Sequence, residues 1–301
     1  MAELIRLQTT IFSLIFCGFF FRRKGIISEE GQKNITDLVI YLILPCNIVT
    51  SFLGNYGGEA FSMCLQIFLI SLGLQVFVLF YGKILARGMA PDRAVNIRYA
   101  TITSNAGFLG NPMAEGMYGA AGLMLASVFL IPQRTMMWSA GVALYAGMQD
   151  GRNVVKKVLT HPCVLSCILG ILLLITGWTI PTIILTPVQT LGRCNTALSM
   201  MVIGMILADI DLSMLYDRDV LVFSAHRLLI IPAILWVILR FLPIDPLVMK
   251  TSVLLTAMPA AAMTSMMAAK YNRDPGFSTS LVICSTLLSI PTIFLWGLLL
   301  K

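Results

Sequence analysis

Apolar segments of about 20 residues follow one another along nearly the whole chain, separated by short polar connections. Of the 301 residues 58% are apolar and 12% charged, where soluble domains average roughly half and a quarter. Hydrocarbon supplies no water, so each backbone N–H and C=O within such a segment must be bonded inside the protein, which leaves helices or a closed barrel. The segment lengths suit helices. The expected fold is therefore an all-α integral membrane protein of ten transmembrane helices, at about 3–22, 35–53, 60–86, 95–118, 121–146, 162–179, 186–208, 219–240, 246–270 and 276–300. The first segment lacks a small-residue cleavage site after Phe19-Phe20-Phe21, and its basic residues Arg22, Arg23 and Lys24 follow rather than precede it. It reads as a retained span rather than a signal peptide.

Basic residues orient the chain. Arg22, Arg23, Lys24 and Lys33, then Lys83, Arg87, Arg93 and Arg98, then Arg152, Lys156 and Lys157, then Lys270 and Arg273 all fall in alternate connections. The intervening connections contain no Lys or Arg, which places both termini outside the cytoplasm of a multi-pass cell-membrane protein. The connection Asp209 to Asp219 is a mostly acidic exception on the cytoplasmic side. The net charge of +7 is thus a topology signal, and no nucleic-acid partner is expected. The seven cysteines lie within apolar segments as small hydrophobes, and Cys163 and Cys167 beside His161 match no zinc spacing. The paired methionines read as apolar filler rather than copper ligands, so no metal site is expected.

Two segments contain helix-breaking runs. Ser104-Asn105-Ala106-Gly107-Phe108-Leu109-Gly110-Asn111-Pro112 interrupts the fourth and Thr256-Ala257-Met258-Pro259 the ninth. Irregular backbone at membrane depth must line a cavity or be buried in protein, and paired breaks mark the binding site of a secondary transporter. Dividing the chain into 1–150 and 151–301 leaves five spans on each side, and an odd number forces opposite insertion: an inverted five-plus-five repeat. Asp92 precedes Asn105 by thirteen residues and Asp245 precedes Met258 by thirteen. Crossing the two broken helices brings half-helix termini together, and exposed N–H groups there favour an anion. Thr101, Thr103, Ser104, Asn105 and Asn111, with Thr256, Thr264 and Ser265, supply polar atoms.

Charges within the spans need partners, since an Arg at the bilayer centre costs roughly 2.5–3.5 kcal/mol even on the lenient insertion scale. Arg134, His226 and Arg227 lie deep, with too few deep carboxylates to neutralise them, so an incoming anion is a candidate counter-charge for Arg134 or Arg227. Arg193 is read as an interfacial anchor at the outer end of the seventh span. Glu115 and His226 are candidate coupling groups. No cofactor is expected, and the coupling ion is left open between H+ and Na+. No Asp-rich metal motif, Ser/His/Asp set or glycine-rich phosphate loop is present, so no enzyme is expected.

Asn105, Gly110 and Pro112 followed by Met117-Tyr118-Gly119 resemble the fourth-span signature of the auxin efflux carrier family. Ala257-Met258-Pro259, Ala269-Lys270-Tyr271-Asn272, Pro275 and Ser285-Thr286-Leu287-Leu288-Ser289 are similar to its ninth and tenth spans, and Leu44-Pro45 fits its second. The long hydrophilic centre of the plant carriers is absent, as in the compact prokaryotic branch, and Thr264 stands where plant members have a second proline. The resemblance implies crossed broken helices in spans 4 and 9, the architecture shared with sodium/proton antiporters and bile-acid symporters. It implies a scaffold of spans 1, 2, 6 and 7 and a mobile unit of spans 3–5 and 8–10. It also implies a homodimer through the scaffold, Asn105, Pro112 and Pro259 as crossing elements, and small organic anions as substrates. The expected function is a secondary carrier of a small organic anion, a carboxylate, with Asn105, Asn111, Pro112, Pro259, Thr264, Arg134 and Arg227 at its substrate site. A sodium-coupled carrier of the bile-acid symporter type and a ligand receptor that does not transport are the alternatives.

Overall fold

The computed structural model describes residues 2–53, 59–146, 159–208 and 217–300. Arg152, Lys156 and Lys157 and most of the acidic connection after Ala208 lie outside the described residues, as does the connection after Leu53. The described residues are helical almost throughout. In chain order the helices are α1 (Ala2–Arg23), α2 (Glu29–Ser51), α3 (Ala60–Leu85) and α4 (Pro91–Ile102). The run Ala106–Tyr145 follows, divided at Gly119 into α5 (106–118) and α6 (120–145). Then come α7 (Pro162–Thr176), α8 (Thr182–Ala208), α9 (Arg218–Leu239), α10 (Pro246–Thr256), α11 (Met263–Lys270) and α12 (Pro275–Leu299). Six of these runs are long and apolar enough to cross a membrane: α2, α3, Ala106–Tyr145, α8, α9 and α12. Helices α7 and α10 are apolar but shorter.

Local chemistry sets the helix ends. Helices α4, α7, α10 and α12 begin at prolines, whose fixed φ suits the first turn and whose missing N–H is not needed there. The side chains of Ser28, Asp217, Asp245 and Asp274 accept from backbone N–H groups at the starts of α2, α9, α10 and α12. Helix α7 stops at Gly177, which takes φ 64°, a left-handed conformation that glycine adopts without a Cβ penalty. At Gly119 (φ 66°, ψ −159°) the chain reverses: a Cβ on Gly122 would strike the carbonyl of Ala114 and the side chain of Tyr118.

The most extensive helix pair joins the two chain halves. Helix α1 lies along the second half of α8 so closely that a Cβ on Gly18 would collide with the Met201 carbonyl, and one on Gly204 with the Ile15 carbonyl. In a bilayer, where lipid is as apolar as leucine, such backbone approach is what holds helices together. Helix α2 packs on α7 and α8, while α3 packs on α4 and on the α5–α6 run. At one end of the bundle Arg93 meets Asp217 (2.9 Å), Asp219 (3.3 Å) and Asp274 (3.7 Å), and Arg273 meets Asp92 (2.7 Å). Three connections read from sequence as lying on one side therefore converge. The acidic exception acquires a reason, because Asp217 and Asp219 face the Arg93 of a basic neighbour. Arg193 lies in the last turn of the helical stretch Thr182–Arg193, and a turn at Cys194 separates it from the second half of α8 (195–208).

Candidate functional site

Both expected breaks are present, and they meet. Helix α4 ends at Ile102 and α5 begins at Ala106; α10 ends at Thr256 and α11 begins at Met263. The two intervening segments pair antiparallel through Ser104 and Ala260, a short β-bridge inside a helical bundle. The Asn105 N–H donates to the Pro259 carbonyl (2.8 Å) and the Ala261 N–H to the Thr103 carbonyl (3.3 Å). Each break thus satisfies backbone groups that the other exposes, which buried backbone requires.

Side chains complete the joint. Gln133 of α6 clasps Ser104 twice: its Nε2 donates to the Ser104 carbonyl (2.8 Å), and its Oε1 accepts from the Ser104 hydroxyl (2.9 Å). Ser285 of α12 accepts from the Ala260 N–H (3.1 Å). The Thr103 and Thr264 hydroxyls stand 3.5 Å apart. Arg227 of α9 is buried, and its guanidinium donates to the carbonyls of Met258 (3.0 Å) and Thr101 (3.1 Å), one from each broken helix. Gly110 lies where a Cβ would press on Leu255 and Met258, so α5 and α10 touch at a residue without a side chain.

The expected site residues divide by access. Asn111, Pro112, Pro259 and Thr264 are buried, whereas Asn105, Gly107 and Phe108 are partly exposed and reachable by a ligand. Both amide atoms of Asn111 are buried without a partner. Glu115, one turn further along α5, accepts from Asn47 Nδ2 (3.4 Å to each oxygen), which also donates to the Gly192 carbonyl (2.8 Å). That contact ties α5 to α2 and α8. His226 Nδ1 is 2.6 Å from the Tyr81 hydroxyl, on α9 and α3, and is not part of the crossing contacts. Arg134, also buried, approaches the first turn of α5: its Nη2 is 3.9 Å from where a Gly107 Cβ would stand.

Two participants escaped the sequence reading. Gln133 carries a signal, an uncharged polar side chain deep in an apolar segment. Asn47 carries another: Cys46-Asn47 with Ser51 recurs as Cys194-Asn195 with Ser199, on helices that touch where Gly192 meets Asn47. Among the described residues no group of His, Cys, Asp and Glu could hold a metal ion.

Two matches to the membrane transport protein family, at residues 6–156 and 148–297, cover nearly the whole chain. The chain belongs to that family. The resemblance to auxin efflux carriers, carried by the same broken helices, agrees with it. An uncharacterized transporter of Methanocaldococcus jannaschii is 26% identical over 300 residues, spanning 95% of this chain and 96% of its own. An uncharacterized transporter of Methanothermobacter thermautotrophicus is 25% identical over 297 residues, at 97% and 96% coverage. A Rhizobium meliloti protein named, provisionally, a malonate transporter is 22% identical over 306 residues, at 97% and 94% coverage. The protein is a multi-pass membrane transporter of this family.

Proposed function

We propose that this protein is a secondary carrier of a small organic anion, a carboxylate, working by alternating access at the crossing of its two broken helices. The observation that carries the reading is the pairing of Thr103–Asn105 with Pro259–Ala261, two interruptions from opposite halves of the chain that complete each other's hydrogen bonds. Beside the pairing lies the partly exposed start of α5, a half-helix N-terminus with partial positive charge. The Rhizobium relative's name supports a dicarboxylate such as malonate as the first substrate to try.

In this reading α4 with α5 and α10 with α11 each cross the membrane as one interrupted span, and α1 and α7 cross as well, giving ten spans in the cell membrane with both ends outside. Residues 1–150 and 151–301 are the two inverted repeats, a division supported by matching break positions and the recurring Cys-Asn motif. Helices α1, α2, α7 and α8 form a scaffold, fastened at Gly18 and Gly204 and joined to a second copy, and the remainder moves against it. Asn105 contacts the substrate directly, Asn111, Pro112, Pro259 and Thr264 shape the crossing, and Glu115 links the moving unit to the scaffold through Asn47.

Proteoliposomes containing the purified protein should accumulate labelled malonate saturably, and Asn105→Ala should reduce the rate by about tenfold, a transition-state loss of roughly 1.4 kcal/mol, without lowering the melting temperature. Absence of flux across a panel of mono- and dicarboxylates would sink the substrate class.

A further inference from the structure

Of the two deep arginines, Arg227 donates to carbonyls of both breaks, whereas the Arg134 side chain makes no hydrogen bond or ion pair among the described residues. Arg134 is 8% exposed, its Nη1 is buried without a hydrogen-bond partner, and it makes no ion pair among the described residues. His161, Cys163 and Cys167 at the start of α7 are near enough to feel its charge, and none of them is a carboxylate. A buried cation without counter-charge is costly wherever it serves only packing.

The second observation is the turn that Arg134 approaches. The N–H groups of Ala106, Gly107 and Phe108 open α5 and carry no hydrogen bond among the described residues, as expected for the first turn of a helix whose cap residue makes no side-chain bond. Gly107 has an ordinary negative φ, and Arg134 alone lies within 4 Å of the place a Cβ would take. Neither backbone conformation nor packing requires glycine there. Its effect is to leave open the space between guanidinium and helix start. Two positive features therefore face each other across the position a Gly107 side chain would take, with no carboxylate paired to Arg134 among the described residues.

We propose that Arg134 and the first turn of α5 form the seat for a carboxylate group of the transported anion, the guanidinium fork meeting the carboxylate edge while the free N–H groups of the turn donate to it. This rests on the carrier reading and deepens it by fixing where charge is neutralised. Both parts of the seat belong to the moving unit, so the bound carboxylate travels with it. Arg227 serves the joint and not the ligand.

The test is melting of the full-length detergent-purified protein against malonate, acetate, sulfate and chloride at matched ionic strength, for wild type, Arg134→Gln and Gly107→Val. Malonate should stabilise wild type saturably, above any effect of sulfate or chloride. Arg134→Gln should weaken malonate at least about tenfold while its ligand-free melting temperature stays level or rises, since an unpaired buried charge has been removed. Gly107→Val, which fills the gap, should weaken malonate likewise. An Arg134→Gln protein that binds malonate as wild type does, or that melts well below wild type without ligand, overturns the seat and leaves the carrier reading standing. If that variant does not fold, unchanged malonate affinity in Gly107→Val overturns the seat on its own. Stabilisation by sulfate in place of every carboxylate makes the seat one for inorganic oxyanions and overturns the proposal, and no stabilisation of wild type by any carboxylate overturns the substrate class itself.

Discussion

Arg227 and Gln133 hold the breaks by opposite means, one through charge and one through shape. Arg227 donates to one carbonyl from each broken helix, so its loss bares two buried acceptors at once. Arg227→Met should lower unfolding stability in detergent by on the order of 3 kcal/mol, read by chemical denaturation, and should abolish transport with it. Gln133→Leu removes a two-point clasp on Ser104 and should cost roughly 1–3 kcal/mol in the same assay. The sequence marks both arginines as deep charges but cannot separate their roles, because partners supplied by carbonyls of a distant break leave no residue-type signature. Asn105 and Pro259 are legible as a joint for the converse reason: Asn, Gly and Pro act through local backbone geometry, which sequence carries directly. That Asn105 is reachable while Asn111 is buried depends on which face of α5 turns inward, and both are polar residues of one run.

Among the elements, the closest approach is the seam of α1 with α8, where backbone touches backbone at Gly18 and Gly204. A side chain at either position forces the helices apart along their length rather than shifting one neighbour. Gly204→Leu should therefore lower the melting temperature sharply, an overpacking cost of about 3 kcal/mol or more, whereas Gly73→Leu, at a position with nothing within 4 Å, should leave it unchanged. Helix existence was readable from apolar length, but helix ends were not: α2 starts at Glu29 and α4 at Pro91, where apolar length alone suggests 35 and 95. For α8 the apolar segment reads from residue 186, yet the helix runs from Thr182 and takes Pro187 in its second turn, which membrane helices tolerate. The convergence of Arg93 with Asp217, Asp219 and Asp274 was equally hidden, since three connections supply it.

At the scale of the whole molecule, the proposed seat has the charge of Arg134 decide how the carrier cycles. In that proposal a seated carboxylate neutralises the guanidinium as the moving unit passes the buried Cys163 and Cys167; without one, the guanidinium passes the same wall as a bare cation. Vesicles preloaded with unlabelled malonate should take up the labelled compound at least about tenfold faster than empty vesicles, a difference of roughly 1.4 kcal/mol in the barrier to reorientation, and Arg134→Gln should erase the difference. Equal rates in loaded and empty vesicles would show that the vacant form turns over freely. On the proposed seat, the guanidinium of Arg134 would make the protein a turnstile for exchange: passage in one direction would be granted chiefly against a passenger coming back, and the concentration gradient of the returning molecule would set which way the other flows.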